Sequence, residues 1–266
     1  MQVQIGLCES LNIESMSVDY NHSENLHTIA GPAAAIPIIF AKHKPASLLD
    51  VGCGTGTWLK AAIDFGIPDV FGVDGVEIPL DKLNIPADKI RHLDLTRPWN
   101  LRQRFDAVMC LEVAEHLDST FASILIDALV KHGNRIFFSA ACPGQTGQHH
   151  VNCQWPDYWQ RMFNERGFCC EDNLRWQIWD DIRIEPWYRQ NIFLARHAPE
   201  TAGREPRIRR VVHPDNWKLV TAIPPPPTFQ DHIHQIEQGR MPAMWYSTIT
   251  IRALCAKFRR RLKNGA

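Results

Sequence analysis

Residues Ser47 to Thr57 read SLLDVGCGTGT: an apolar strand runs into Asp50, then through Gly52, Gly54 and Gly56, and on into a helical stretch. Glycines there let the backbone turn sharply and approach a ligand with no Cβ in the way. In a parallel sheet, ligands settle beyond the carboxyl ends of the strands, where the strand order switches. The spacing is G-x-G-x-G, not the G-x-G-x-x-G of dinucleotide binders, and no Lys-Ser/Thr ending of a phosphate loop follows. A cofactor without phosphates fits better. Taken alone, the glycines could also close a tight turn in another α/β fold.

Outward from that loop the pattern is regular. Short apolar runs occur at Ser47–Val51, Val70–Val73, Ile90–Leu93, Ala107–Cys110 and Arg135–Phe138, with helical stretches clearest at Thr57–Phe65 and Thr120–His132. Trp155–Arg166 reads as a further helix and Asn191–Ala195 as a late strand. Strands alternating with helices predict an α/β fold, doubly wound around a parallel sheet. Residues 1–44 read as a lead-in and a proline-interrupted cap helix over Glu24–Lys42. Residues 45–197 form the predicted catalytic domain. From residue 198 to 266 the chain reads as a Pro-rich and basic extension, with Pro224–Pro227 extended and stiff.

Asp50-Val51-Gly52-Cys53-Gly54-Thr55-Gly56 resembles the first motif of the class I S-adenosylmethionine-dependent methyltransferases. Asp74, which ends Phe71-Gly72-Val73-Asp74, matches the acid that accepts hydrogen bonds from the ribose hydroxyls. Asp94, in His92-Leu93-Asp94-Leu95, matches the third-strand residue near the adenine amino group. The resemblance spans residues 45–195 and implies a mostly parallel seven-stranded, Rossmann-like sheet. It implies S-adenosylmethionine as cofactor, held by Asp50, Gly52, Cys53, Gly54, Gly56, Asp74, Gly75, Asp94, Leu95 and Cys110.

After the fourth strand, Glu112, Glu115 and His116 are spaced i, i+3, i+4 and share a face if helical. Two carboxylates and an imidazole beyond a strand end can hold a divalent cation. The ExxEH pattern is similar to that of ubiquinone-type O-methyltransferases. It also resembles the small-RNA 2′-O-methyltransferases, which add a later histidine after the fifth strand. Here that element is Gln148-His149-His150-Val151, with His150 the preferred fourth ligand and His149 the substitute. The resemblance implies Glu112, Glu115, His116 and His150 around Mg or Mn, ahead of Zn. The proton acceptor would be His116, or whichever of His149 and His150 is not a ligand. The plainer alternatives are that Glu112 caps a helix and that Glu115 and His116 pair at a surface.

Lys+Arg and Asp+Glu both number 29, so the formal charge is zero, which disfavours a dedicated nucleic-acid binder. Eight scattered cysteines with no CxxC pair exclude a zinc knuckle and read as reduced thiols in a cytoplasm. No secretory leader or membrane span is expected, because the longest apolar stretch, Ile29–Ala41, is short and contains prolines. Arg252–Lys263 carries six basic residues and an apolar stripe, which suits peripheral contact with a membrane or a protein. Of nine tryptophans, Trp155 follows the histidine loop and is the one best placed for substrate.

The leading reading is an O-methyltransferase of a small molecule or glycan, similar to bacterial enzymes of polysaccharide and natural-product pathways. The alternatives are an RNA-end 2′-O-methyltransferase and a non-catalytic methyltransferase-like scaffold. N-methylation stays open. The Asn/Asp-Pro-Pro-aromatic motif of amino-methylating DNA enzymes is absent.

Overall fold

The computed structural model describes Tyr20 and residues 28–222. Seven strands form one sheet: β1 (Ser47–Val51), β2 (Asp69–Asp74), β3 (Ile90–His92), β4 (Ala107–Leu111), β5 (Arg135–Ser139), β6 (Phe168–Glu171) and β7 (Phe193–His197). Their order is β3-β2-β1-β4-β5-β7-β6, parallel throughout except where β7 runs against both β5 and β6. The chain builds β1 to β3 in one direction and then returns to lay β4 on the other side of β1. The carboxyl ends of β1 and β4 therefore flank a topological switch point, where such sheets leave a crevice.

The strands are apolar on both faces because both are covered. Successive side chains point to opposite sides. Leu48, Ala107, Met109 and Phe137 pack with α1 (Ala30–Ile39) and α2 (Thr57–Asp64). The short helices α5 (Asn173–Ile178) and α6 (Pro186–Asn191) complete that layer through Ile178 and Tyr188. Leu49, Val108, Cys110, Ile136 and Phe138 face α3 (Ala122–His132) and α4 (Pro156–Asn164), whose Leu125, Leu129, Trp159 and Phe163 fill the other layer. The expected cap helix is shorter than predicted, and α1 buries Ala35, Ile36 and Ile39 in the first layer. No described helix is long and apolar enough to cross a membrane.

The strand absent from the periodicity is β6. It is four residues long, reads FCCE, and is bounded by helices, so no alternation has room to develop. Another difference concerns the domain's end. The sequence reading closes it at His197, whereas the compact unit holding the sheet runs on to Val220 and includes the start of α7 (Pro214–Ala222). Residues 198–216 are fastened mostly by polar bonds. Glu205 Oε1 accepts from the Cys170 N–H at 3.0 Å, Gln160 Nε2 at 3.1 Å and Asn164 Nδ2 at 2.6 Å. Asp157 pairs with Arg207 and, at 2.8 Å, with Arg210. Buried Ile208 supplies the apolar anchor. The proline run, the basic tail, Cys8, Cys255 and the N-terminal lead-in apart from Tyr20 lie outside the described residues.

Burial raises the Glu205 carboxyl, but the donors from Cys170, Asn164 and Gln160 outweigh it and hold it down at about 2. Its folded value lies below its ordinary 4.5, so its stabilising contribution is present above that pH and disappears as pH falls toward 2. Urea titrations should show wild-type stability dropping more steeply than that of Glu205→Gln across this acid window. Glu205→Ala should cost about 1–3 kcal/mol at neutral pH by stranding its donors. Parallel pH profiles for wild type and the Gln variant would refute the role of this clasp.

Candidate active site

The loop after β1 is left-handed at Gly52, Gly54 and Gly56, with φ of 76°, 51° and 82°. A Cβ at Gly52 would lie 2.3 Å from Val113 Cγ2, so no other residue fits where β1 and β4 converge. The N–H groups of Gly52 and Cys53 both donate to the Val73 carbonyl, at 2.8 and 3.1 Å. Asp74, at the end of β2, completes the fastening: Oδ2 accepts from the Gly54 N–H at 2.7 Å and Oδ1 from the Val76 N–H at 2.8 Å. The helix α2 starts at Gly56 with no acid in its first turn, so its free N–H groups favour an anionic ligand group.

Asp50 sits beneath this loop, 2% exposed, and its Oδ2 has no hydrogen-bond partner. Burial, reinforced by the Asp74 carboxylate, pushes its carboxyl up to about 8. A buried carboxylate without donors is costly, and a cationic or donor group on a ligand would relieve it. The loop therefore offers an anion-favouring helix start and a carboxyl that would welcome a cation, as an amino-acid ligand requires.

The remaining predicted cofactor residues divide. Gly75 backs onto buried Leu95 across the β2–β3 edge. Asp94, matched to the residue near the adenine amino group, caps its own turn. Its Oδ1 accepts from the Thr96 N–H and hydroxyl at 2.9 and 2.5 Å, and its Oδ2 pairs with Arg97. The thiols of Cys53 and Cys110 are packed in the two opposite core layers and are raised by burial.

The ExxEH segment is not a helical face. Glu112 is itself left-handed, φ 54°, with its N–H donating to the Ser139 carbonyl at 3.0 Å and hydroxyl oxygen at 3.1 Å. Only Ala114–His116 coil, as one 3₁₀ turn. A second junction forms next to it. The Glu115 carbonyl accepts the N–H groups of Val151 at 2.9 Å and Asn152 at 3.0 Å, which draws the histidine loop onto the end of β4. As a result, ligand atoms of Glu115, His116 and His150 all lie within 4.8 Å of one another.

Within that group Glu115 is fully buried, and neither carboxylate oxygen has a hydrogen-bond partner. Burial and the Glu112 carboxylate push its carboxyl well up. His116 is lowered to about 4 by burial and by His150, so it is neutral, and its Nδ1 is buried without a partner. His150 Nδ1 lies 3.0 Å from the Gln145 carbonyl and donates to it, which leaves Nε2 as the lone-pair nitrogen. The unpartnered carboxylate oxygens of Glu115 and Nδ1 of His116, with the His150 ring beside them, suit a divalent cation.

Two expected members stand apart. His149 is exposed and left-handed, φ 49°, outside the group. Glu112 is also outside it: Gln145 Nε2 donates to its Oε2 at 2.7 Å and Asn191 Nδ2 to its Oε1 at 3.1 Å. Sequence reasoning missed Gln145, Asn191 and Tyr20. The Tyr20 ring stands edge-on to His116 at 4.7 Å. Burial, then the carboxylates of Glu115, Asp74 and Glu112, push its phenol to about 12, which places it between the glycine loop and the histidines. No periodicity marks these residues. Trp155 is half-buried at the start of α4 with Arg210 5.9 Å from its ring, whereas Trp159 is core.

A family described as a methyltransferase domain matches residues 25–178. The dTDP-3-amino-3,6-dideoxy-alpha-D-glucopyranose N,N-dimethyltransferase of Streptomyces fradiae is 38% identical over 86 residues, 30% of this chain and 32% of that protein. The ubiquinone biosynthesis O-methyltransferase of Proteus mirabilis (strain HI4320) is 32% identical over 100 residues, 35% of this chain and 40% of that protein. The matched stretches thus span well under half of either curated relative. Among solved structures, the methyltransferase domain of bacterial-CtHen1-CN is 15% identical, with 64% of this chain and 100% of that one covered at a TM-score of 0.48. Magnesium protoporphyrin IX methyltransferase from Synechocystis PCC 6803 is 20% identical, with 62% and 77% covered at a TM-score of 0.45.

Because the Asp50 carboxyl is raised from 3.8 to about 8 on folding, the folded chain holds a proton the unfolded chain has lost, and stability falls as pH rises between those values. Asp50→Asn removes this dependence. Without added ligand, its melting temperature relative to wild type should climb by at least about 2 °C between about pH 5 and pH 8. A difference that is flat or shrinks with pH would show that Asp50 is not held protonated.

Proposed function

Because this chain belongs to the methyltransferase domain family, which matches residues 25–178, we propose that it transfers the methyl group of S-adenosylmethionine to a hydroxyl of a small molecule or glycan, with a divalent cation at Glu115, His116 and His150. One observation carries this reading. The glycine loop, over an Asp50 whose Oδ2 has no partner, and the Glu115–His116–His150 group follow the neighbouring parallel strands β1 and β4, with Val113 packed on Gly52.

In this reading the α2 start receives the donor's carboxylate and Asp50 answers its ammonium. Asp74, fixed at the end of β2 by the Gly54 and Val76 N–H groups that its two oxygens accept, is the acid that would meet the ribose hydroxyls. The sulfonium's methyl is then held over the crevice, facing the acceptor. As the acceptor oxygen bonds to the methyl carbon, the carbon–sulfur bond breaks, the sulfonium leaves as a neutral thioether, and the hydroxyl proton departs. His149, outside the group and at the surface, is the histidine left to receive that proton.

A sugar or phenolic hydroxyl is a weak nucleophile at neutral pH. A divalent cation, when bound, lowers the hydroxyl pKa and fixes its line of attack. The unpartnered oxygens of Glu115 and Nδ1 of His116 fit such an ion, and with two imidazoles to one carboxylate the group suits Mn better than Mg. Holding both reactants in one cleft contributes much of the remaining rate. The two curated relatives bear the names of a sugar N,N-dimethyltransferase and a ubiquinone-pathway O-methyltransferase, which supports a small acceptor. The first of those names also favours a second reading, transfer to an amine of an amino sugar.

Calorimetry should show one S-adenosylhomocysteine bound per chain, and Asp74→Ala should weaken it about 10- to 100-fold. With S-adenosylmethionine and a panel of quinols, hydroxy sugars and amino sugars, mass spectrometry should find a product heavier by one methyl. Glu115→Gln should slow its formation at least about 100-fold while leaving donor binding intact. Uptake of NAD in place of S-adenosylhomocysteine would sink the proposal, and a product methylated only on nitrogen would shift it to the amine reading.

A further inference from the structure

Glu112 stands against Glu115 but outside the group of Glu115, His116 and His150, and a cage of side-chain amides brought from three separate elements surrounds it. Gln145, in the loop after β5, donates through Nε2 to Glu112 Oε2 at 2.7 Å. Asn191, the last residue of α6, donates through Nδ2 to Oε1 at 3.1 Å and Oε2 at 3.5 Å, and to Gln145 Oε1 at 2.9 Å. Asn216, in the first turn of α7, donates to Gln145 Oε1 at 3.4 Å and to Gln190 Oε1 at 3.1 Å. The His213 N–H holds Gln190 Oε1 from the other side at 2.8 Å.

The polarity of this network runs one way. Asn216 donates to Gln145, Gln145 donates to Glu112, and the chain ends on a carboxylate. Bonds aligned in series reinforce one another inside a protein. Asn191 is 4% exposed, so a Glu112 that swung toward the cation would strip this buried donor of its carboxylate partner with no water to replace it. The left-handed backbone at Glu112, tied through its N–H to Ser139, points the same way: strain of this kind persists where surrounding structure fixes it.

We infer that the amide cage keeps Glu112 out of the cation's coordination shell, so that the ion is held by Glu115, His116 and His150 alone. This rests on the cation reading above. A six-coordinate ion with three protein ligands keeps about three positions for water and for acceptor oxygens, one more than a four-ligand site would leave. An acceptor with two neighbouring oxygens could then chelate the ion and still leave a water in place. Glu112, satisfied on its amide side, keeps its remaining lone pairs for a donor on the acceptor.

The test is to titrate Mn²⁺ into the full-length chain saturated with S-adenosylhomocysteine, reading affinity by calorimetry and bound, exchanging water by proton relaxation. Wild type should bind one ion carrying about three waters. Glu112→Gln should stay within about fivefold of wild-type affinity, and Glu115→Gln should weaken it more than about tenfold. Fewer than two waters on the wild-type ion, which even a Glu115 chelating through both oxygens does not explain, or a loss beyond fivefold in Glu112→Gln, would make Glu112 a ligand and overturn the inference. The water count needs no variant, so it decides the question even if a substitution fails to fold. Wild type that binds S-adenosylhomocysteine but no Mn²⁺ would remove the cation reading, and this assignment with it, while leaving the methyl-donor reading in place.

Discussion

Two backbone N–H groups, from Val151 and Asn152, converge on the carbonyl of Glu115, and the rest of the site depends on that junction. The histidine loop has no strand or helix of its own to hold it. Pinned there, it lays His150 against His116 at a ring separation of 5.0 Å and seals the Glu115 side chain from water. Burial there is the largest cause of the two displaced proton affinities within the group. Glu115 is pushed up and His116 pushed down by the same burial. A closed, polar, unsatisfied group of this kind is an expensive thing to build into a fold, and it makes physical sense when a ligand completes it.

The glycine loop is a different case, because its conformation is written into residue type. Three glycines at alternate positions after an apolar strand admit few backbone paths, and the left-handed angles at all three bear this out. The strands beside it were equally legible, since fully covered strands are short unbroken apolar runs. Asp50 and Asp74 were singled out by the resemblance to the class I methyltransferases, and they lie at the carboxyl ends of β1 and β2, two strands that the pattern located. Beyond β5 the expected helix and late strand are present as α4 and β7, and what was lost is β6 and the attachment of the segment after β7. The strand β6 is too short for a period, and residues 198–216 attach through Glu205, Asp157 and Asn216, whose partners lie far away in sequence.

The ExxEH segment shows how spacing can point to the right residues by the wrong geometry. A helical face would have aimed Glu112, Glu115 and His116 together. Instead Glu112 belongs to the strand's exit, and only the later two lie on one tight turn. That split leaves Glu112 to Gln145 and Asn191 and gives Glu115 to the histidines. Nothing in the local sequence distinguishes the two acids. The difference comes from α6 and the histidine loop, which a pattern search along the chain cannot bring together.

The reversed strand β7 accounts for how Asn191 arrives. Parallel strands deliver their last residues to the crevice, but β7 runs against β5, with Phe193 paired to Phe138, so its approach and not its exit lies there. The two working halves of the crevice are thus supplied by different stretches of chain. The glycine loop and Asp74, which the proposed function gives to the methyl donor, lie at the outgoing ends of β1 and β2, and the surroundings of Glu112 come from the incoming end of β7 and the head of α7. Changes in the lead-up to β7 can therefore alter what is recognised beside Glu112 without disturbing the glycine loop, a division of labour that lets one scaffold drift between acceptors while its donor stays fixed.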